Sequence, residues 1–241
     1  MSMLPRRAAL WTAPALIVSW LLSTVGAAPS PPLLPEQMPT AERVRLMQVA
    51  ETASVSTQVD GEPFPCRSDI FEYLVDHPEF ATHVTQMLKL ARYRIWRTPE
   101  GLYLDDGWGA TGHFAFVYVA PGTRVMYAWG QYKPKILPSI RGQAVIMLEY
   151  GFRPTAHGRD LVTSKVTGFV KLDSRVLAFA SRLVSSVAQN KADTEARKLV
   201  KVFARVSQAV QENPSSVYEQ LRQRPDTPRQ ELEEFRQILN R

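Results

Sequence analysis

The chain has 241 residues, 45% of them hydrophobic and 22% charged, with a formal net charge of +6. This size and composition exclude a largely disordered chain and suit one domain with extensions, or at most two small domains. Cys66 is the single cysteine, so no internal disulfide forms and the fold must rest on core packing.

The first residues read as a targeting segment. Arg6 and Arg7 precede an apolar run from Ala8 to Leu22, and the small residues Val25-Gly26-Ala27 follow. The pattern predicts a signal peptide over residues 1–27, cleaved after Ala27, and hence an exported, periplasmic or secreted protein. An uncleaved membrane anchor is the alternative; the shortness of the run and its interruption by Pro14 favour cleavage. The surroundings of Arg6-Arg7 match a twin-arginine signal poorly, and no cysteine follows the run, which excludes lipoprotein processing. Without Arg6 and Arg7 the net charge falls to +4. A mild excess of this kind fits an anionic membrane surface better than nucleic acid, or serves solubility alone.

Residues 28–48 begin with the proline-rich "PSPPLLPEQMP" and are expected to form a linker, with scope for one or two helical turns from Thr40. Val49 to Gly61 alternates as a first strand. Ser68 or Asp69 is placed to cap a helix whose apolar face is Ile70, Phe71, Leu74 and Val75. Asp76-His77-Pro78 breaks it, and Phe80, Val84, Met87 and Leu88 mark a second short helix.

From there the period becomes two. "ARYRIWRT" and "LYLDDGWGATG" are short strands with a glycine-rich bend. His113 to Val119 alternates, with Phe114, Phe116 and Tyr118 on one face and His113, Ala115, Val117 and Val119 on the other. Pro121-Gly122 turns the chain into "RVMYAWGQY", where Tyr127 and Trp129 share a face. "KPKILPSIRG" reads as a loop or broken edge. Ala144, Ile146, Leu148, Tyr150 and Phe152 form one face of the next strand. "LVTSKVTGFVKLD" is the last strand, after the long hairpin loop "RPTAHGRD". Asp173 or Ser174 then caps a long helix reaching about Glu212, with an apolar stripe through Val176, Phe179, Leu183 and Val187 that resumes at Leu199, Val202, Phe203 and Val206. Asn213-Pro214 ends it. Residues 214–241 form a tail with a helix at Ser216–Arg222 and another capped by Thr227, with Pro228 at its first position.

A strand, two short helices, about six antiparallel strands and one long helix make an α+β fold in which a curved antiparallel sheet wraps the long helix. On "DIFEYLVDHPEFATHV", the glycine-containing hairpins between Gly101 and Gly168, and the long helix from Ser174, the chain resembles the helix-grip fold of the START-like superfamily, also called SRPBCC or polyketide-cyclase-like. The resemblance covers residues 49–213. It implies a cavity between sheet and long helix that holds a lipid or other hydrophobic small molecule, with transport in the cell envelope as one use. Some members are cyclases or dehydratases, so an enzyme stays open.

The residues themselves carry little catalytic signal. Asp105 and Asp106 are adjacent, so on a strand they would face opposite ways; before Gly107 they suit turn hydrogen bonds. His77, His83, His113 and His157 have no metal-ligand spacing, and neither G-x-S-x-G nor a phosphate loop occurs; "GWGATG" reads as a flexible hairpin region. Cys66 beside Pro65 reads as inert. No catalytic residue, metal or cofactor is assigned. The candidate cavity residues are Phe114, Phe116, Tyr118, Tyr127, Trp129, Leu148, Tyr150, Phe179 and Leu183, with His113 and Arg141 as polar candidates. Which sheet face is concave stays open. The leading expectation is a monomeric binder of an apolar ligand. A cyclase- or hydrolase-like enzyme using His113, and an interaction protein that docks a partner or membrane through its tail, are the rivals.

Overall fold

A computed structural model of the chain describes residues 34–135, 139–155, 160–173 and 181–240, without the side chains of residues 181–185. The expected signal peptide, His157, Phe179 and the Leu183 side chain lie outside the described residues. The elements in chain order are α1 (Thr40–Glu51), β1 (Val55–Asp60), β2 (Phe64–Cys66), α2 (Ser68–Asp76), α3 (Pro78–Met87), β3 (Arg94–Thr98), β4 (Gly101–Asp105), β5 (Ala110–Ala120) and β6 (Thr123–Tyr132). They continue with β7 (Ile140–Pro154), β8 (Asp160–Leu172), α4 (Ser181–Glu212), α5 (Pro214–Gln223) and α6 (Arg229–Leu239).

The strands form one antiparallel sheet in the order β1-β8-β7-β6-β5-β4-β3, with β2 also pairing β8. Strands β3 to β8 are a meander of hairpins, and β1 closes the far edge. The helix α4 packs along β1, β2 and β8. This is the helix-grip arrangement, an α+β fold in which the long helix holds one side of a strongly curved sheet.

The sheet has two differently covered faces. On the outer face, α1 buries Leu46, Val49 and Ala50; Leu34 and Met38 join Leu46, Val49, Val125, Val145 and Met147 in one cluster there. The helical turns expected from Thr40 form, but they run further than expected, and the expected first strand is corrected to a later start. Thr40 to Glu51 is one helix of 12 residues, so the boundary at residue 49 falls inside it, and the strand begins only at Val55. Spacing explains this: Leu46, Val49 and Ala50 share a helical face that has sheet to cover. Pro39 rather than Thr40 is the N-cap residue, and no side chain caps the helix.

The inner face meets α2, α3 and α4 in the largest core cluster. Phe71 of α2 stands at its centre, with its ring 5.1 Å from Tyr150, 5.5 Å from Phe203 and 5.8 Å from Phe152. The tail belongs to this core: Val217, Leu221, Leu232 and Phe235 are buried against α2 and α3, and the Tyr73 hydroxyl donates to the Glu231 carbonyl at 2.7 Å. The apolar faces of α5 and α6 are thus spent on their own domain, not kept for a partner. Thr227 does not cap α6; Pro228 holds that place, and the Thr227 hydroxyl is buried without a partner.

Candidate functional site

A cavity of about 420 Å³ lies between the inner face of β3–β8 and α4. Register across the sheet shows why the space exists. On neighbouring strands Phe114 faces Ala128 and Ala128 faces Ala144. One row further along, Gly112 faces Gly130 and Gly130 faces Gly142. The floor of the cavity is therefore alanine methyls and bare backbone. The glycines are required by the bend as well as by the space. A Cβ on Gly112 would lie 2.6 Å from the Trp129 carbonyl oxygen and 2.8 Å from the Gly130 Cα, closer than real side chains approach. Phe114, Phe116, Met126, Ile146 and Leu148 supply apolar walls, and Phe203 and Val200 of α4 form the roof.

One end is closed by the Phe71 cluster. Beyond it Arg124, almost fully buried, donates to both carboxylate oxygens of Asp76 at 2.6 and 2.9 Å and to the Ala120 carbonyl at 2.5 Å. The hydrogen bond to Asp76 raises the Arg124 guanidinium pKa, although burial works against it. Burial pushes the Tyr150 hydroxyl up to about 12, and it donates to Glu72 at 3.2 Å.

The other end carries a polar bridge between sheet and helix. Lys191 of α4 donates to Asp106 at 2.5 Å and to Glu195 at 2.9 Å, and lies 5.1 Å from the Tyr132 ring centroid. Asp106 also accepts the backbone N–H groups of Trp108 and Ala110 at 2.7 and 2.9 Å. Burial would raise the Asp106 carboxyl, but these donors outweigh it and hold the group below its usual range. Asp105 accepts from the Gly107 N–H at 2.8 Å, so both aspartates serve the turn, as their position suggested.

The sequence-predicted residues divide as follows. Phe114, Phe116 and Leu148 line the cavity. Tyr150 shares that face but is part of the packed aromatic end, not the cavity wall. Tyr118 and Tyr127 are corrected to the outer face, where they pack beside α1. A bulge between Phe116 and Tyr118 breaks the alternation and sets Tyr118 opposite Val125. Trp129 and His113 are a cross-strand pair whose rings stack at 5.3 Å, with Tyr103 edge-on to His113 at 4.7 Å. They border the cavity, but alternation sends both rings to the outer face, leaving backbone on the cavity side. His113 thus does not enter the cavity as a base. The Arg141 side chain follows the same rule: it alternates with Ile140 and Gly142 and is exposed. Cys66 is fully buried, and burial raises its thiol to about 12, which makes it a poor nucleophile. Among the described residues no cluster of three or more His, Cys, Asp or Glu could hold a metal ion.

Sequence reasoning missed the residues that make the cavity: Gly112, Gly130, Gly142, Ala128 and Ala144. The signal was present as small residues at alternate positions in strands already identified.

No protein-family model and no curated protein matches the chain. Solved structures do overlap it. A hypothetical protein from Helicobacter pylori aligns with 64% of this chain and 86% of its own, at 12% identity and a TM-score of 0.35. Ara h 8.0201 covers 64% of this chain and 97% of its own, at 12% identity and the same TM-score of 0.35. The di-domain ARO/CYC StfQ from the steffimycin biosynthetic pathway covers 69% of this chain at 17% identity and a TM-score of 0.35; this chain spans about half of it, 54%. Overlaps of this quality bear on neither activity nor ligand, and the fold rests on the strand order and helix placement described above.

Proposed function

We propose that the protein binds a lipid or another hydrophobic small molecule in the cavity between sheet and α4, as an exported monomer of the cell envelope. The observation that carries this reading is the bare floor. A sheet face that merely packed against α4 would hold large side chains, as it does around Phe71. Here glycine and alanine occupy neighbouring positions on three adjacent strands, beneath a helix that holds the roof away. An apolar space of about 420 Å³ lies within the range of small-molecule sites, and apolar burial is what such a lining offers a ligand. The charged groups at its open end are already paired, which supports binding over acid–base chemistry. Export and the envelope location rest on the N-terminal pattern of Arg6-Arg7, apolar run and small residues.

Native mass spectrometry of the purified protein, followed by organic extraction, tests the reading. A stoichiometric apolar adduct that survives purification is expected. An adduct-free mass, with no uptake from an added envelope-lipid extract, would overturn it.

A further inference from the structure

A second surface lies beside the cavity. The C-terminal loop of α3, the β4–β5 bend and the middle of α4 enclose a groove lined by Lys89, Arg92, Lys198, Lys201 and Arg205, with Trp108 at its rim. All five cations are exposed. Lys198 pairs with Glu195 at 3.1 Å. Among the described residues, no carboxylate lies within ion-pair distance of Lys89, Arg92, Lys201 or Arg205. Arg92 instead sits over the Trp108 ring, 5.4 Å from its centroid, and Trp108 is 61% exposed.

The backbone at Lys89 adds an independent sign. Helix α3 ends in a Schellman motif: Leu90 N–H donates to the Thr85 carbonyl and Lys89 N–H to the Gln86 carbonyl, each at 3.0 Å. Lys89 occupies the left-handed position, at φ 56°, where glycine is the usual residue. A lysine stands where glycine would relax the turn, and it adds its charge to the groove.

The groove also adjoins the cavity. Leu199 lines the cavity yet is 40% exposed, so the cavity reaches the surface there. Its sequence neighbour Lys198 lines the groove, and the Lys191–Glu195 pair joins the two walls. An apolar ligand entering at Leu199 would otherwise have to cross water.

We infer that this groove is a docking surface for an anionic phospholipid bilayer, with Lys89, Arg92, Lys201 and Arg205 meeting headgroup phosphates and Trp108 seated at the interface. The inference builds on the apolar-ligand reading, since docking here brings the bilayer to the place where the cavity opens. Cations near an anionic surface and an amphipathic indole at the headgroup level are the two features peripheral binding draws on. Nucleic acid would use the same charges, but neither the exposed Leu199 nor the adjoining apolar cavity has a use there.

The test is flotation of the full chain with vesicles of pure phosphatidylcholine or of phosphatidylcholine carrying about one-third phosphatidylglycerol. Arg6 and Arg7 beside the apolar N-terminal run also favour anionic vesicles, so the readout is the ratio between the two vesicles in the wild type compared with the ratio in variants that carry the same run. We expect a preference for the anionic vesicles of more than tenfold in 0.1 M salt, largely abolished in 1 M salt. A variant with Lys89, Arg92, Lys201 and Arg205 all changed to Ala should lose the preference while retaining the adduct that defines cavity binding. Lys89→Gly should lower the preference severalfold and raise the melting temperature, a pairing that damage to the fold cannot produce. An unchanged preference in the fourfold variant would overturn the inference, as would abolition of vesicle binding by millimolar glycerol phosphate, or tighter binding to an RNA oligonucleotide than to anionic vesicles.

Discussion

The two ends of the space beneath α4 are built on the same sheet and roofed by the same helix, yet one is solid and the other hollow. At the solid end Phe64, Phe71, Tyr150, Phe152 and Phe203 interlock ring against ring. At the hollow end Gly112, Gly130 and Gly142 lie side by side, with Ala128 and Ala144 next to them. The helix grip only holds the layers apart; side-chain volume, strand by strand, decides whether the gap is core or cavity. The consequence is an asymmetry under mutation. Removing atoms should hurt the solid end, and adding them should hurt the hollow one.

The largest effect is expected from Phe71→Ala, which removes the ring shared by four aromatic neighbours. It should cost about 3–5 kcal/mol in urea unfolding. Next comes Asp106→Asn, which removes the charge opposite Lys191 while keeping an acceptor for the turn; about 3 kcal/mol is expected. The pH dependence has a fixed sign. The folded carboxyl titrates below its unfolded value, so its contribution is present above about pH 4 and fades as pH falls through the folded pKa. The wild type should therefore lose stability on acidification through that range, and Asp106→Asn should flatten the slope. Gly130→Ala adds one methyl where the nearest backbone atoms include the Gly112 Cα at 2.7 Å. It should cost about 1–3 kcal/mol, although alanine suits strands no worse than glycine. The smallest change in stability, within about 1.5 kcal/mol, is expected from Ala144→Leu, which grows into empty space. It should instead reduce the ligand adduct in native mass spectrometry at least tenfold. Equal destabilisation by Phe71→Ala and Ala144→Leu, with the adduct retained in the latter, would erase the distinction between the two ends.

This contrast was only half legible in the sequence. The period changes placed α2, α3, the β-meander and α4 correctly in order, because each element has one apolar face to bury. Alternation also grouped Phe114 with Phe116, and Leu148 with Ala144 and Ile146. Alternation names two faces for each strand, however, and does not say which faces of neighbouring strands coincide. Trp129 was grouped with the wrong neighbours because register makes it the partner of His113, whereas Phe114 meets Ala128. Tyr118 was misplaced because one extra residue at the bulge reverses parity, and nothing in "FVYVA" announces it. The helix expected as one or two turns from Thr40 runs on to Glu51, beyond what the sequence suggests, because Leu46, Val49 and Ala50 make a short, weak stripe that becomes persuasive only beside the sheet it covers. The groove of Lys89, Arg92, Lys201 and Arg205 brings residues over a hundred positions apart together, and no local pattern contains it.

The pairing of β1 with β8 carries a consequence in time. Each of the hairpins from β3 to β8 can begin to form as soon as its own two strands exist. Val55, by contrast, meets Val170 only after nearly the whole sheet has been laid down. Closing so long a loop before any contact rewards it is slow. Until β1 arrives, β8 presents an unpaired edge rich in valine, open to any other extended chain. The helix that grips the finished sheet rests largely on β1, so the cavity acquires its roof in the same late step. A nascent molecule would thus pass through a stage with a formed meander, a bare edge and no binding site, and that interval is when aggregation would compete most strongly with folding.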